Sequence, residues 1–306
     1  MSAHAQDPFR AQPGAFADPD AAGGERRERS GPPWPLYRSG YVSTFLAGRL
    51  QDGADFALVA GAHGRHYPFY HPSCRWDDLL LLAGDRGLLA AGRRLPPLSL
   101  VLAEGSALVA YHGLAAAADG ALVDVDLDLK LHARLYRPRS EGLGRGRLLL
   151  GLLWQGALLR GRGTLALNGA RRRIDLVAGA MERGTLLNLR WPLFRVGFDY
   201  QGLTRAGPEP AAHVAFRAWP LARGPAAAPL RAALALLRAR EDLTLAGLTP
   251  ARGDPRSLGP TPDEPVVPIV ESIVDLGPAR LTRQLLRVGG PTRVRWGLRE
   301  RFLPKG

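Results

Sequence analysis

Residues 123 to 136 constrain the fold of this chain more than any other stretch. Val123, Val125, Leu127, Leu129, Leu131, Ala133 and Leu135 share one parity, while Asp124, Asp126, Asp128, Lys130, His132 and Arg134 share the other. Strict alternation over this length belongs to a β-strand, whose successive side chains point to opposite faces. One apolar face and one charged face predict an antiparallel sheet with a buried side and a wet side. The length suits the long, bent strands of barrels and large hairpins.

A second signal lies at Leu165-Ala166-Leu167-Asn168-Gly169-Ala170. Asn-Gly tolerates the positive φ angles of a type I′ turn, so it predicts a tight hairpin with arms over 160–167 and 170–178. A third runs from Leu187 to Tyr200. Leu187, Leu189, Trp191 and Leu193 share one parity, and Phe194, Val196, Phe198 and Tyr200 the other; a bulge at Pro192 accounts for the switch. Shorter strands are expected at 56–60, 76–82, 98–103, 107–112, 147–154 and 213–219. Pro229 to Arg240 has an apolar stripe at helical spacing. Pro278 to Val288 reads as helix or strand, and 249–268, rich in proline, as a loop. Short strands with frequent turns point to a barrel or sandwich rather than a parallel α/β sheet.

The chain has 306 residues, of which 46% are apolar, enough to bury a core in one large domain or two ordinary ones. Residues 1 to 33 carry Ala, Gly, Pro, Asp and Arg without apolar period and are expected to be a disordered tail. The body is then 34–306, as two barrel-like halves with a break between 170 and 225. The longest nearly unbroken apolar run, 148–159, contains Gln155 and falls short of the roughly 20 residues of a spanning helix. Residues 1 to 10 show no apolar leader segment, so the expected location is the cytoplasm. The single cysteine, Cys74, excludes a disulfide framework within one chain. Net charge is +13, yet the basic residues are scattered, and Lys130 and Lys305 are the lysines among them. Scattered arginine reads as a solvated surface, so no nucleic-acid partner is expected; an arginine-rich polyanion binder is the rival reading.

The segment from Gly161 to Gly184 runs through the hairpin to Gly179-Ala180-Met181-Glu182-Arg183-Gly184, followed by the aromatic stretch Trp191 to Tyr200. That order resembles the lipocalin-like superfamily of carotenoid 1,2-hydratases and tocopherol cyclase-like proteins. The resemblance implies a mostly-β fold of antiparallel, lipocalin-like barrels, two of them packed together, with one or two short helices. It also implies an apolar cavity for an isoprenoid or lipid-like molecule. The hydratases carry an Asp-His-Asn-Trp-Gly type motif at the corresponding turn; here the place reads Glu182-Arg183-Gly184, without histidine or tryptophan. Glu182 then stands where the family has its acidic residue.

A carboxylic acid lining an apolar cavity is the group that can protonate an alkene, the step of a hydratase or cyclase, so Glu182 is the catalytic candidate; an ion pair with one of the many arginines is the plain alternative. His63, His66, His71 and Cys74 fall within twelve residues, ahead of Asp77 and Asp78. Their types suit zinc, but the spacing matches no zinc signature, and no metal is assigned. The three histidines are taken as the rim of a ligand pocket, against an aromatic, proline-containing loop docked on a barrel mouth. Asp199, Tyr200 and Trp191 are the other ligand-binding candidates, against an ordinary core role. Asp124, Asp126 and Asp128 could bind a divalent cation but read better as a solvated strand face. No Gly-x-Ser-x-Gly, Gly-x-x-x-x-Gly-Lys or His-Glu-x-x-His occurs, which leaves hydrolase, nucleotide-binding and metalloprotease readings without support. No cofactor is expected. The function read from the sequence is a protein binding a hydrophobic small molecule in a barrel cavity, with an acid-catalysed hydratase or cyclase as the alternative.

Overall fold

The structure, a computed structural model, describes residues 36–63, 76–92, 98–103, 105–136, 153–189, 194–207, 211–222, 239–246, 263–275, 279–289 and 294–304. Among these residues there are fifteen strands and no helix. The first nine are β1 (Leu36–Leu50), β2 (Asp55–His63), β3 (Trp76–Ala83), β4 (Arg86–Gly92), β5 (Ser99–Ala103), β6 (Gly105–Ala117), β7 (Leu122–Tyr136), β8 (Leu153–Leu167) and β9 (Ala170–Leu189). They form one antiparallel sheet in the order β4-β3-β2-β1-β9-β8-β7-β6-β5. β4 also pairs with β6, through Leu88↔Ala117 and Leu89↔Ala116, and this closes β1–β4 and β6–β9 into an eight-stranded barrel. The remaining six, β10 (Phe194–Thr204), β11 (Ala211–Ala222), β12 (Ala239–Ala246), β13 (Val266–Asp275), β14 (Ala279–Val288) and β15 (Arg295–Pro304), make a second antiparallel sheet in the order β12-β11-β10-β15-β14-β13.

The alternating stretch is β7, and its apolar parity faces the barrel bore. Val125, Leu127, Leu129 and Leu131 join Leu46, Leu58, Leu81, Leu88, Leu159 and Val177 in one contiguous buried cluster. The expected tight turn is present: Asn168 has φ 49° and Gly169 φ 80°, the positive pair of a type I′ turn. Asn168 also accepts, through Oδ1, a hydrogen bond from the Asp124 amide at 2.9 Å, tying the turn to β7. Curvature is concentrated where neighbouring strands approach closely. A Cβ on Gly179 would lie 2.1 Å from the Phe45 carbonyl oxygen, and one on Gly163 2.2 Å from that of Asp128. Only glycine fits such an approach, and a bulge between Gly161 and Gly163 adds to the bend.

The second sheet lies against the outer wall of the barrel at β9, β1, β2 and β3. Phe45, Ala57, Val59, Leu80 and Leu82 on that wall form a second core with Val214, Leu285, Trp296 and Leu298. A Cβ on Gly202 would come within 2.3 Å of the Phe45 ring, so Gly202 is the hole into which Phe45 fits.

Several sequence expectations change. The stretch 187–200 is two strands: β9 ends at Leu189 in the barrel sheet and β10 begins at Phe194 in the second sheet. The two parities belong to strands of different sheets, and Pro192, where a bulge was expected, lies outside the described residues. Residues 279–288 resolve to strand β14, and Val266 to Pro268, expected in a loop, open β13. The expected helix at 229–240 falls outside the described residues up to 238, and 239–240 begin β12. The expected tail at 1–33 lies outside the described residues.

A buried polar layer as candidate functional site

The wall between barrel and second sheet is apolar except along one row. On β3, Leu79 and Leu81 belong to the bore cluster while Leu80 and Leu82 belong to the outer one, which gives Asp78 the outward parity. The same alternation on β9 sends Met181 into the bore and Ala180 outward, and Glu182 follows Ala180. On β1, Phe45 and Ala47 face outward, and Ser43 shares their parity. Cross-strand pairing aligns these positions: Glu182↔Ser43, Ser43↔Gly61 and Gly61↔Asp78. Glu182 and Asp78 thus end a row of four strands whose ends are roughly 14 Å apart, three spacings of about 4.8 Å. Ser43, Asp78 and Glu182 are all buried, Glu182 to 1% exposure.

A matching row runs across the second sheet. Tyr200 pairs with Glu300, Glu300 with Arg283, and Arg283 with Ser272. All four are buried, and their parity is that of the residues packed on the barrel: Leu298 and Trp296 on β15, Leu285 on β14. The two rows meet at Arg283. Its guanidinium donates through Nε at 3.0 Å and Nη2 at 2.8 Å to Oε2 of Glu300, and through Nη1 to Oδ1 of Asp78 on the barrel. It lies flat on Gly61, where a Cβ would sit 2.2 Å from Nη1. Glycine at position 61 is therefore a requirement of the ion cluster. Burial alone would push the Arg283 pKa down; the carboxylates of Asp78 and then Glu300 outweigh it and hold the group above the ordinary arginine value.

The residues singled out in the sequence fall in different places. Glu182 and Tyr200 come to this one layer, from the barrel and the second sheet respectively. Glu182 faces the inter-sheet layer rather than the bore. Asp199, next to Tyr200, points to the opposite face of the second sheet and is held by Arg299 at 3.1 Å and Arg301 at 3.4 Å. His63 ends β2, while His66, His71, Cys74 and Trp191 lie outside the described residues. The face of Asp124, Asp126 and Asp128 is solvated, and His112 of β6 joins it. Its Nδ1 lies 2.6 Å from Asp126 Oδ1 and its Nε2 3.7 Å from Asp128 Oδ1. The ligand-type atoms of these three residues all lie within 4.8 Å of one another, close enough to hold a metal ion, on an exposed face where such acidic groups are common without one.

Ser43, Arg283 and Glu300 were missed in the sequence, and Asp78 was noted only beside the histidine and cysteine cluster. A signal existed in β14, where Arg283 occupies the apolar parity between Leu281 and Leu285. A charge at such a position is buried and must be paired.

Chemically, the layer offers buried carboxyl groups and hydroxyls at strand-pair distances inside an apolar wall, with one guanidinium fixed between two acids.

No family model matches this chain, and no curated protein matches it. Among solved structures it is similar to an AttH-like protein of Nitrosomonas europaea, at 10% identity over 95% of this chain and 98% of that one, TM-score 0.37. It is also similar to CghA with Sch210972 (9% identity, 88% and 89% covered, TM-score 0.39) and to kievitone hydratase of Nectria haematococca (9%, 87% and 89%, TM-score 0.34). At these identities and TM-scores the likenesses carry nothing about chemistry.

Proposed function

We propose that this chain binds a hydrophobic small molecule of isoprenoid or lipid type, and that the polar layer between barrel and second sheet holds the polar end of that ligand. The observation that carries this reading is the burial of Glu182 on an apolar wall, in one row with Ser43 and Asp78. The sequence reading put the ligand in a barrel bore. The described bore is lined mainly by one apolar cluster, with Asp77 and Thr44 buried at bore-facing parity and Tyr111 within it, whereas a row of carboxyl and hydroxyl groups faces the inter-sheet layer. The resemblance around Gly179 to Gly184 points to the same ligand class.

The test is titration of the purified chain with a long-chain isoprenoid alcohol, read by intrinsic tryptophan fluorescence. Saturable binding is expected; Glu182→Ala should weaken it at least tenfold and Tyr200→Phe several-fold, since each removes a hydrogen-bonding group from a dry site, while Asp199→Ala leaves it unchanged. Absence of saturable binding, or an Asp199 effect as large as that of Glu182, overturns the reading.

Acid catalysis by Glu182 is the second reading, favoured by the same burial. A neutral carboxyl group there would donate its proton to a substrate alkene, leaving a carbocation for water or an internal nucleophile to capture. Glu182→Gln would then abolish turnover and spare binding.

A further inference from the structure

The second sheet covers the β9-β1-β2-β3 side of the barrel and buries Leu158 of β8, while β7 and β8 from Arg160 onward present their outer face to solvent. Along β7 the outward residues change sign midway, from Asp124, Asp126 and Asp128 to Lys130, His132 and Arg134. β8 adds to the basic half: Arg162 is paired with Lys130, and Arg160 with His132. All these basic side chains are exposed. Like charges directly opposite one another across a strand pair destabilise a sheet. Among the described residues, none makes an ion pair or a side-chain hydrogen bond with Lys130, Arg160 or Arg162. The nearby acids are engaged elsewhere: Asp126 and Asp128 flank His112, and Asp175 holds Arg173 at 2.6 Å. What remains is a grid of basic side chains, their strand positions about 5 Å apart across the strands and about 6.8 Å along them.

The shape of the grid selects its partner. It lies on the convex wall of a barrel, which touches a plane along a strip one or two strands wide, the width of this patch. A nucleic-acid duplex is read by an element inserted into a groove, which a convex barrel wall does not offer. Lipid headgroups diffuse laterally and adjust to fixed cations, at about 1 kcal/mol per basic residue. We propose that Lys130, His132, Arg160 and Arg162 dock the barrel on the headgroups of an anionic bilayer.

The full chain is sedimented with vesicles of phosphatidylcholine alone and with vesicles containing 30% phosphatidylglycerol (roughly, an ordinary anionic-membrane mixture), across a salt series. Binding to the anionic vesicles alone is expected, falling as salt rises. The double variant Lys130→Glu with Arg160→Glu sets one carboxylate opposite Arg162 and one opposite His132, both at exposed positions, so it keeps the fold, and should lose at least tenfold in affinity. Arg205→Glu with Arg280→Glu makes the same change in net charge at exposed positions in or beside the second sheet, away from the grid, and should lose clearly less. Three results overturn the proposal: no binding to anionic vesicles at low salt, equal losses in the two double variants, or tighter Lys130- and Arg160-dependent binding to a short single-stranded DNA than to the vesicles.

Discussion

Arg283 is the one described guanidinium held at zero exposure between two acids from different sheets, Asp78 on the barrel and Glu300 beside it. Removing one member of such a cluster leaves uncompensated buried charge. Arg283→Met is therefore expected to cost about 3–5 kcal/mol in urea unfolding at neutral pH, and a loss below 1 kcal/mol would mean that the cluster is not desolvated. Tyr111 gives a second handle inside the bore. Its hydroxyl donates to the Leu114 carbonyl at 2.7 Å. Burial, with a smaller contribution from Asp124, raises its pKa above the ordinary 10.0. The folded state thus holds this proton more tightly than the unfolded one. The stability it contributes is present below about pH 10 and is lost as pH climbs through the raised folded value. Tyr111→Phe should cost about 1 kcal/mol at neutral pH, through the lost hydrogen bond, and should flatten the fall in stability above pH 10. Equal slopes in the two proteins would remove Tyr111 as the cause.

At the scale of elements, the Asn168-Gly169 turn sets the pairing of β8 with β9. Gly169 at φ 80° has open space around a would-be Cβ, so Gly169→Ala tests backbone strain alone. A loss of about 1–2 kcal/mol is expected in thermal or urea unfolding; an unchanged midpoint would mean that the turn tolerates another conformation. This turn and β7 were legible because each is a local pattern, a dipeptide in one case and a one-sided alternation in the other. β1 was not legible. Val42 and Leu46 face the bore and Phe45 and Ala47 face the second sheet, so both faces are apolar and no period of two survives. β13 was concealed by Pro268, which sits at a bulge on the edge of its sheet. The candidate site divides along the same line. Glu182 and Tyr200 stood out by type and local context. Arg283 and Asp78, 205 residues apart, meet only through the register of two sheets, which no local pattern encodes.

For the whole molecule, the outer wall of the barrel has become an interior. Phe45 seated in the hole at Gly202, and Arg283 lying over Gly61, register the second sheet on the barrel through one apolar and one ionic lock. The functional claim follows from what this register brings together: the row Glu182, Ser43 and Asp78 beneath the row Tyr200, Glu300, Arg283 and Ser272. Photolabelling with a long-chain isoprenoid alcohol bearing a diazirine on the carbon next to its hydroxyl, followed by peptide mapping, tests that claim most directly. Labels are expected on residues of the inter-sheet layer, such as Ser43, Phe45, Tyr200 and Leu298, and to vanish with excess unlabelled alcohol. Competed labels on bore residues such as Leu81, Leu129 and Leu159 would place the ligand inside the barrel and contradict the account.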